Sequence, residues 1–243
     1  MATGLKVWTN NGSVLTIDQN YENLSLYSRG SGETSSANPE LAYGLYTLTF
    51  TLPASVIPQV ALRTHDPSKY IGILGVSING NTYTFLIRTQ GGPVAFDWFV
   101  FTLPTYIASS TRGLKVWRQS DGRLVFDSGM SWMRVAGQIV NGQGGGQLDP
   151  ARTYAIAFCG AAMNQSRQWI NNPETQPAQV DQYTYIPGAR ILNGVFSSTD
   201  MTVFVQQSSP GTPPDIGYIS NGGFAVLAVD CLLYTSPSPR DCS

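Results

Sequence analysis

Leu45-Tyr46-Thr47-Leu48-Thr49-Phe50-Thr51-Leu52 alternates strictly, so that an extended chain carries Tyr46, Leu48, Phe50 and Leu52 on one side and Thr47, Thr49 and Thr51 on the other. A period of two over eight residues is the signature of a half-buried β-strand. Working outward, Val76-Ser77-Ile78-Asn79-Gly80-Asn81-Thr82-Tyr83-Thr84-Phe85 reads as a hairpin built around Asn79-Gly80, a dipeptide suited to tight reversal. Further strands are expected over 97–103, closed by Pro104, and over 154–159, 189–196, 201–206 and 224–229. Nothing reads as a long amphipathic helix. The 25 glycines and 15 prolines punctuate short strands with frequent turns, which argues for an all-β sandwich or barrel architecture over a layered α/β fold.

An internal repeat organises the chain. Gly4-Leu5-Lys6-Val7-Trp8 recurs as Gly113-Leu114-Lys115-Val116-Trp117, and without a gap Leu15 falls on Leu124, Ile17 on Phe126 and Asp18 on Asp127. Each copy is followed by a turn dipeptide, Asn11-Gly12 or Asp121-Gly122, of the kind that suits a type I′ reversal. The expected fold is therefore two tandem β-sandwich-like units of related topology, an N-terminal β domain over 1–107 and a C-terminal β domain over 113–230. Asn141-Gly142-Gln143-Gly144-Gly145-Gly146 reads as a flexible linker, and 164–180 as a long polar loop.

Only 12% of the residues are charged and the formal net charge is −1, where roughly 25% charged is usual. Such a surface presents no basic field to a phosphate backbone, so nucleic acid is not an expected partner. The apolar runs, such as 224–229, fall far short of the roughly 20 residues that span a bilayer, and no membrane insertion is expected. Met1-Ala2-Thr3-Gly4-Leu5-Lys6 has neither the charged start nor the apolar stretch of an export signal. Cys231-Leu232-Leu233-Tyr234-Thr235-Ser236-Pro237-Ser238-Pro239-Arg240-Asp241 resembles one reading frame of the end sequence used in transposon-based DNA sequencing libraries. Residues 231–243 are accordingly expected to be an adapter-derived, non-native tail, which leaves Cys159 alone and no disulfide framework.

Catalytic chemistry has few carriers here. His65 is the only histidine, which excludes a multi-histidine zinc cluster and obliges any Ser-His-Asp arrangement to use it. It sits in the turn-like His65-Asp66-Pro67, where an exposed loop residue is the simpler reading. The shared Asp18 and Asp127 suit a metal or acid/base role, but a lone Asp at the end of a strand more often bonds its neighbouring backbone in a turn. Cys159, at the end of an apolar strand, reads as a small buried hydrophobe. No nucleophile elbow and no phosphate-binding loop occurs, so no catalytic residue, cofactor or metal is assigned. The surviving signal is a surface of aromatics among amides, Trp169, Gln168 and Asn171 with Tyr183 and Tyr185 beyond, a composition suited to stacking on a sugar or anchoring a protein contact, though a solvated loop with its Trp tucked onto the sandwich is the simpler reading.

Gly113-Leu114-Lys115-Val116-Trp117, a turn, and then Leu124-Val125-Phe126-Asp127-Ser128 resembles the opening of an uncharacterised family of small tail proteins of bacteriophages and prophages. The resemblance is clearest over 113–136, about a fifth of the chain with its looser copy over 4–27, where Thr16-Ile17-Asp18-Gln19 departs from the pattern. The strand 224–230 also resembles the family's ending. It implies a virion component of the tail tip or fibre region, made in the bacterial host cytoplasm, non-enzymatic, with other phage tail proteins as partners and homo-oligomers compatible with it. The alternative is a receptor- or glycan-binding tail module that meets the host surface through the Trp169 region. A polysaccharide-cleaving enzyme ranks third.

Overall fold

The computed structural model describes residues 4–8, 14–18, 23–38, 43–53, 56–159, 163–170, 179–208, 218–221 and 224–231. For 4–8, 14–18, 37–38, 163–170, 179–183, 203–208 and 218–221 it describes the backbone alone. Along the first half the strands are β1 (Gly4–Trp8), β2 (Val14–Asp18), β3 (Ser25–Glu33), β4 (Ser35–Asn38), β5 (Tyr43–Thr51), β6 (Gln59–Thr64), β7 (Ile71–Asn79), β8 (Thr82–Gln90) and β9 (Ala95–Thr102). After a 3-10 turn at Pro104–Tyr106 come β10 (Lys115–Trp117), β11 (Leu124–Asp127), β12 (Val135–Val140), β13 (Gln143–Gly144), β14 (Gly146–Gln147) and β15 (Tyr154–Phe158). The second half ends with β16 (Met163–Ile170), β17 (Gln179–Leu192), β18 (Val195–Ser208), β19 (Tyr218–Asn221) and β20 (Ala225–Asp230). The protein is nearly all β, as the alternating segments require.

Two large antiparallel sheets carry the fold, one ordered β13-β12-β20-β15-β6-β9-β3 and the other β14-β18-β17-β7-β8-β5-β4, with β16 and β19 attached to β17. The two halves of the chain have the same plan. Outermost to innermost, the first half lays down β3, β9, β6 and the second β12, β20, β15; in each trio the earliest strand is outermost and the latest lies in the middle. The hairpins β7–β8 and β17–β18 likewise both place their first strand innermost in the other sheet. The related units stand side by side, joined edge to edge where β6 pairs with β15, Leu62 opposite Ile156 and Ala61 opposite Ala157, and where β7 meets β17 at Ile71 and Ala189.

One continuous core runs through both units, from Leu48, Ile71, Phe85 and Ile87 to Ile156, Phe196 and Val226. The alternation that opens the reading holds. Leu48 and Leu52 are buried, Tyr46 and Phe50 pack against the core, and Thr47, Thr49 and Thr51 are exposed. Tyr46 meets Phe96 of the opposite sheet edge-to-face at 5.1 Å, a favoured aromatic geometry. Burying a side chain such as Phe96 contributes about 2–3 kcal/mol. The repeated pentapeptides each lead a two-stranded ribbon, but their registers differ: Val7 opposes Leu15, whereas Val116 opposes Phe126 rather than Leu124. The shift is two residues at Lys115 and Val116, and a bulge after Val116 reduces it to one at Trp117, which opposes Leu124. Among the described residues no helix is long and apolar enough to cross a membrane.

Three turns differ from the reading of the sequence. The β7–β8 reversal consists of Gly80 and Asn81, with Asn79 already paired to Thr82; Gly80 at φ +58 takes the first central position, the demand of a type II′ turn. In the β10–β11 ribbon only Gly122 has positive φ, and Arg118 bonds Arg123 across a four-residue loop in place of a two-residue turn. Residues 189–196, expected as one strand, are split by Asn193 and Gly194 at φ +51 and +78, a type I′ pair that links β17 to β18.

The expected linker is instead a crossing between the sheets. Asn141 and Gly142 turn the chain, Gln143–Gly144 pairs with β12 in one sheet and Gly146–Gln147 pairs with β18 in the other. Gly145 makes the step at φ +86, and a Cβ there would lie 2.6 Å from the Phe196 carbonyl oxygen. At Gly142, φ is +75 with nothing within 4 Å. Gly142→Ala should therefore cost about 1 kcal/mol for the left-handed backbone alone, and Gly145→Ala roughly 2–3 kcal/mol because the crossing must also shift. Urea unfolding midpoints of the two variants, at unchanged m-value, measure the difference.

Candidate functional site

The polar stretch 164–180 is strand where it is described, not loop. β16 runs antiparallel to β17 along Asn164–Ile170, and its other edge pairs with β19. Asn164-Gln165-Ser166-Arg167-Gln168 has no apolar alternation to announce a strand; its backbone is paired along both edges, which satisfies its N–H and C=O groups. Residues 171–178, with Asn171, lie outside the described residues.

Register divides the aromatic and amide cluster. Asn164 opposes Tyr185, Ser166 opposes Tyr183 and Gln168 opposes Asp181, while Trp169 opposes Val180. Directly opposed residues share a face and successive residues alternate. Positions 168, 183 and 185 therefore fall on one face of the β16–β17 pair. Position 169 falls on the other, the face of Thr184, which is buried. Tyr185 is half-buried. The structure thus groups Gln168 with the two tyrosines and separates Trp169 from them.

His65 enters a polar row that the sequence did not announce. Adjacent strands set Ser31 opposite Asp97 and Asp97 opposite Arg63. Ser31 Oγ donates to Asp97 Oδ1 at 2.7 Å, Arg63 pairs with Asp97 Oδ2, and His65 Nε2 lies 3.0 Å from Asp97 Oδ1. Burial alone would raise the Asp97 carboxyl, but hydrogen bonds from Ser31, His65 and Arg63, with the Arg63 charge, outweigh it and hold the group below the usual carboxylate range. Serine and histidine both address the carboxylate here. A nucleophilic serine must instead present its proton to the imidazole. The neighbouring surface cavity includes Arg63, His65, Asp149, Arg152 and Tyr154. Arg152 lies between Asp230 at 2.6 Å and Asp149 at 3.5 Å, so its cations face carboxylates and it offers little net field to an anion.

Asp127 proves to be the clasp of its turn. It is fully buried and accepts hydrogen bonds from the Ser110 N–H at 2.8 Å, the Ser110 hydroxyl at 2.5 Å and the Gly129 N–H at 2.8 Å. The Trp132 indole donates to the Asp127 carbonyl at 3.1 Å and stacks on Phe126 at 5.1 Å. Leu-Val-Phe-Asp-Ser is thus knit into the segment joining the two units. The Asp18 backbone pairs with Gly4.

Cys159 stands just past the end of β15 and is exposed, in contrast to the buried position expected. Surrounding bulk nonetheless pushes its thiol up, away from nucleophilic thiolate. It borders an apolar cavity of about 360 Å³ between the sheets, lined by Val56, Pro58, Val76, Phe85, Phe158 and Pro187 among others. Cys231 is buried beside Ala61, Phe99 and Val229, donates its N–H to the Thr153 carbonyl, and has its thiol pushed up to about 12 by burial. Among the described residues no group of three or more His, Cys, Asp or Glu side chains is placed to hold a metal ion. Comparison with protein-family models, with characterised proteins and with solved structures finds no match.

Asp127 yields a pH dependence. Burial opposes its ionisation, but the Ser110 and Gly129 hydrogen bonds and the Lys115 charge prevail and lower its pKa below the ordinary 3.8. A carboxyl depressed in the folded state contributes stability that is present above the unfolded value and lost as pH falls through the folded one. Wild type should therefore lose stability on acidification below pH 3.8 more steeply than Asp127→Asn. At neutral pH the variant should be about 1–3 kcal/mol less stable. Urea titrations across that pH range measure both.

Proposed function

We propose that this chain is a non-enzymatic structural or adaptor component of a bacteriophage tail, in the tail-tip or fibre region, acting through packing against other tail subunits. The observation that carries the reading is the repeated Gly-Leu-Lys-Val-Trp opening with its Leu124-Val125-Phe126-Asp127-Ser128 sequel. In this chain that motif builds a ribbon and a turn clasp, a structural use of those residues that supports the reading. Low charge and abundant turns suit a particle subunit synthesised in the host cytoplasm and incorporated into a virion, with homo-oligomers or neighbouring tail proteins at its sheet edges.

Long-read resequencing of the DNA around the gene tests this. Neighbouring genes for tail assembly are expected; neighbours for sugar metabolism would displace the reading.

A second reading, a receptor- or glycan-binding tail module, rests on the register that gathers Gln168, Tyr183 and Tyr185 on one face. Tyrosine faces beside an amide suit sugar stacking and hydrogen bonding. Were it correct, a glycan array would retain the wild-type protein and lose Tyr183→Ala while keeping Trp169→Ala, which lies on the opposite face. The leading reading expects no retention by any of the three. Release of reducing ends from a capsular polysaccharide would point instead to a depolymerase.

A further inference from the structure

Where the two units meet in the nine-stranded sheet, β17 pairs with β7 at one position only, Ala189 opposite Ile71. Its preceding residues, 179–185, pair along that edge with β16 instead. The sheet forks here. β7 continues to Asn79, bonded to β8 on one side, and among the described residues no strand pairs with its other side beyond Ile71. A bulge interrupts β7 between Ile73 and Gly75; beyond it alternate residues direct N–H and C=O outward, as in any antiparallel pair, so 75–79 present a run of backbone donors and acceptors along that edge. Natural edges are protected by lysine, proline, charge or cover. Ile71-Gly72-Ile73-Leu74-Gly75-Val76-Ser77-Ile78-Asn79 contains no charged residue and no proline.

The same edge opens onto the apolar cavity. Val76 and Ile78 oppose Phe85 and Tyr83 of β8 and so share their inward face. Yet Val76 and Ile78 are 51% and 58% exposed, while Phe85 and Tyr83 are buried. Among the described residues Phe158 and Cys159 border the cavity from the facing sheet, and the exposed Ile57 stands at the mouth. The lining holds no carboxylate, ammonium or guanidinium, and its polar side chains are engaged, Gln59 with the Phe158 carbonyl and Tyr83 with the Val56 carbonyl. An occupant must therefore be uncharged and apolar toward the cavity, and must offer hydrogen bonds in the plane of the sheet. A small apolar molecule meets the first demand only. An extended polypeptide meets both.

We propose that β7 is an acceptor edge for an extended segment of another protein chain, which adds antiparallel to 75–79 and fills the cavity with uncharged apolar side chains at alternate positions. The inference concerns the surface chemistry of this edge and stands independently of the tail reading.

Cys159 reports occupancy. In a Cys242→Ser background, with Cys231 buried, alkylation of Cys159 by a maleimide is followed with and without a capped Thr-Val-Thr-Val-Thr-Val-Thr peptide. At a peptide concentration ten times its Kd the rate should fall about tenfold. The same peptide N-methylated at alternate residues keeps its side chains but cannot pair, and should give no protection. Val76→Lys, which puts a charge at the mouth, should abolish protection by the unmodified peptide, and Ser77→Lys on the outward face should leave it intact; circular dichroism verifies that both variants fold. Equal protection by the N-methylated peptide, absence of protection by the unmodified one, or an undiminished effect in Val76→Lys would each overturn the proposal. Self-association that protects Cys159 without peptide would overturn it in favour of a second copy of this chain as occupant.

Discussion

The edge-to-edge joining of the two units is the constraint on which the remainder of the structure depends. Neither half has more than four strands in a large sheet apart from the β16 and β19 attachment, and each would end in a bare edge at the seam. Pairing of β6 with β15 removes that edge in one sheet, and Ala61 and Ala157 keep the junction compact. In the other sheet close approach depends on missing side chains. A Cβ on Gly72 would lie 2.6 Å from the Pro187 carbonyl oxygen, and one on Gly188 would lie 2.5 Å from Met201. Contacts this short admit only glycine, so the second seam is narrow and holds at a single pair, Ile71 with Ala189.

That narrowness explains the surface around it. Because β17 pairs with β7 at one position only, its first seven residues, 179–185, are available to β16, and a segment without apolar alternation is recruited into a sheet by backbone hydrogen bonds. The departure of β17 also leaves the inward face of β7 uncovered at Val76 and Ile78. An open apolar cavity and a polar blade are two consequences of one fork.

Charge is scarce and committed to architecture. Asp97 ties three neighbouring strands through Ser31, Arg63 and His65, and Asp127 closes the connection between the units. Hydrogen bonding lowers both carboxyls against the opposing pull of burial. Stabilised carboxylates of this kind are poor proton donors at neutral pH, which suits groups that hold backbone and side chains in place.

Local chemistry was legible in the residues themselves. Tyr46, Leu48, Phe50 and Leu52 announced their buried face, and the strands ending at Thr102, Phe158 and Asp230 lay close to where apolar alternation and turn residues put them. Of the candidate site, residue types were readable but their grouping was not: only register across β16 and β17 sets Gln168 with Tyr183 and Tyr185 and turns position 169 away. The glycine run of 142–146 looked like a linker because composition does not distinguish freedom from a backbone path that only glycine can follow. Periodicity and turn preference are settled within a few neighbouring residues, and so the sequence by itself determined the all-β class. Which edges meet depends on residues far apart in the chain, Leu62 with Ile156 and Ile71 with Ala189, so only the tertiary structure decided the shared sheets, the fork and the open cavity.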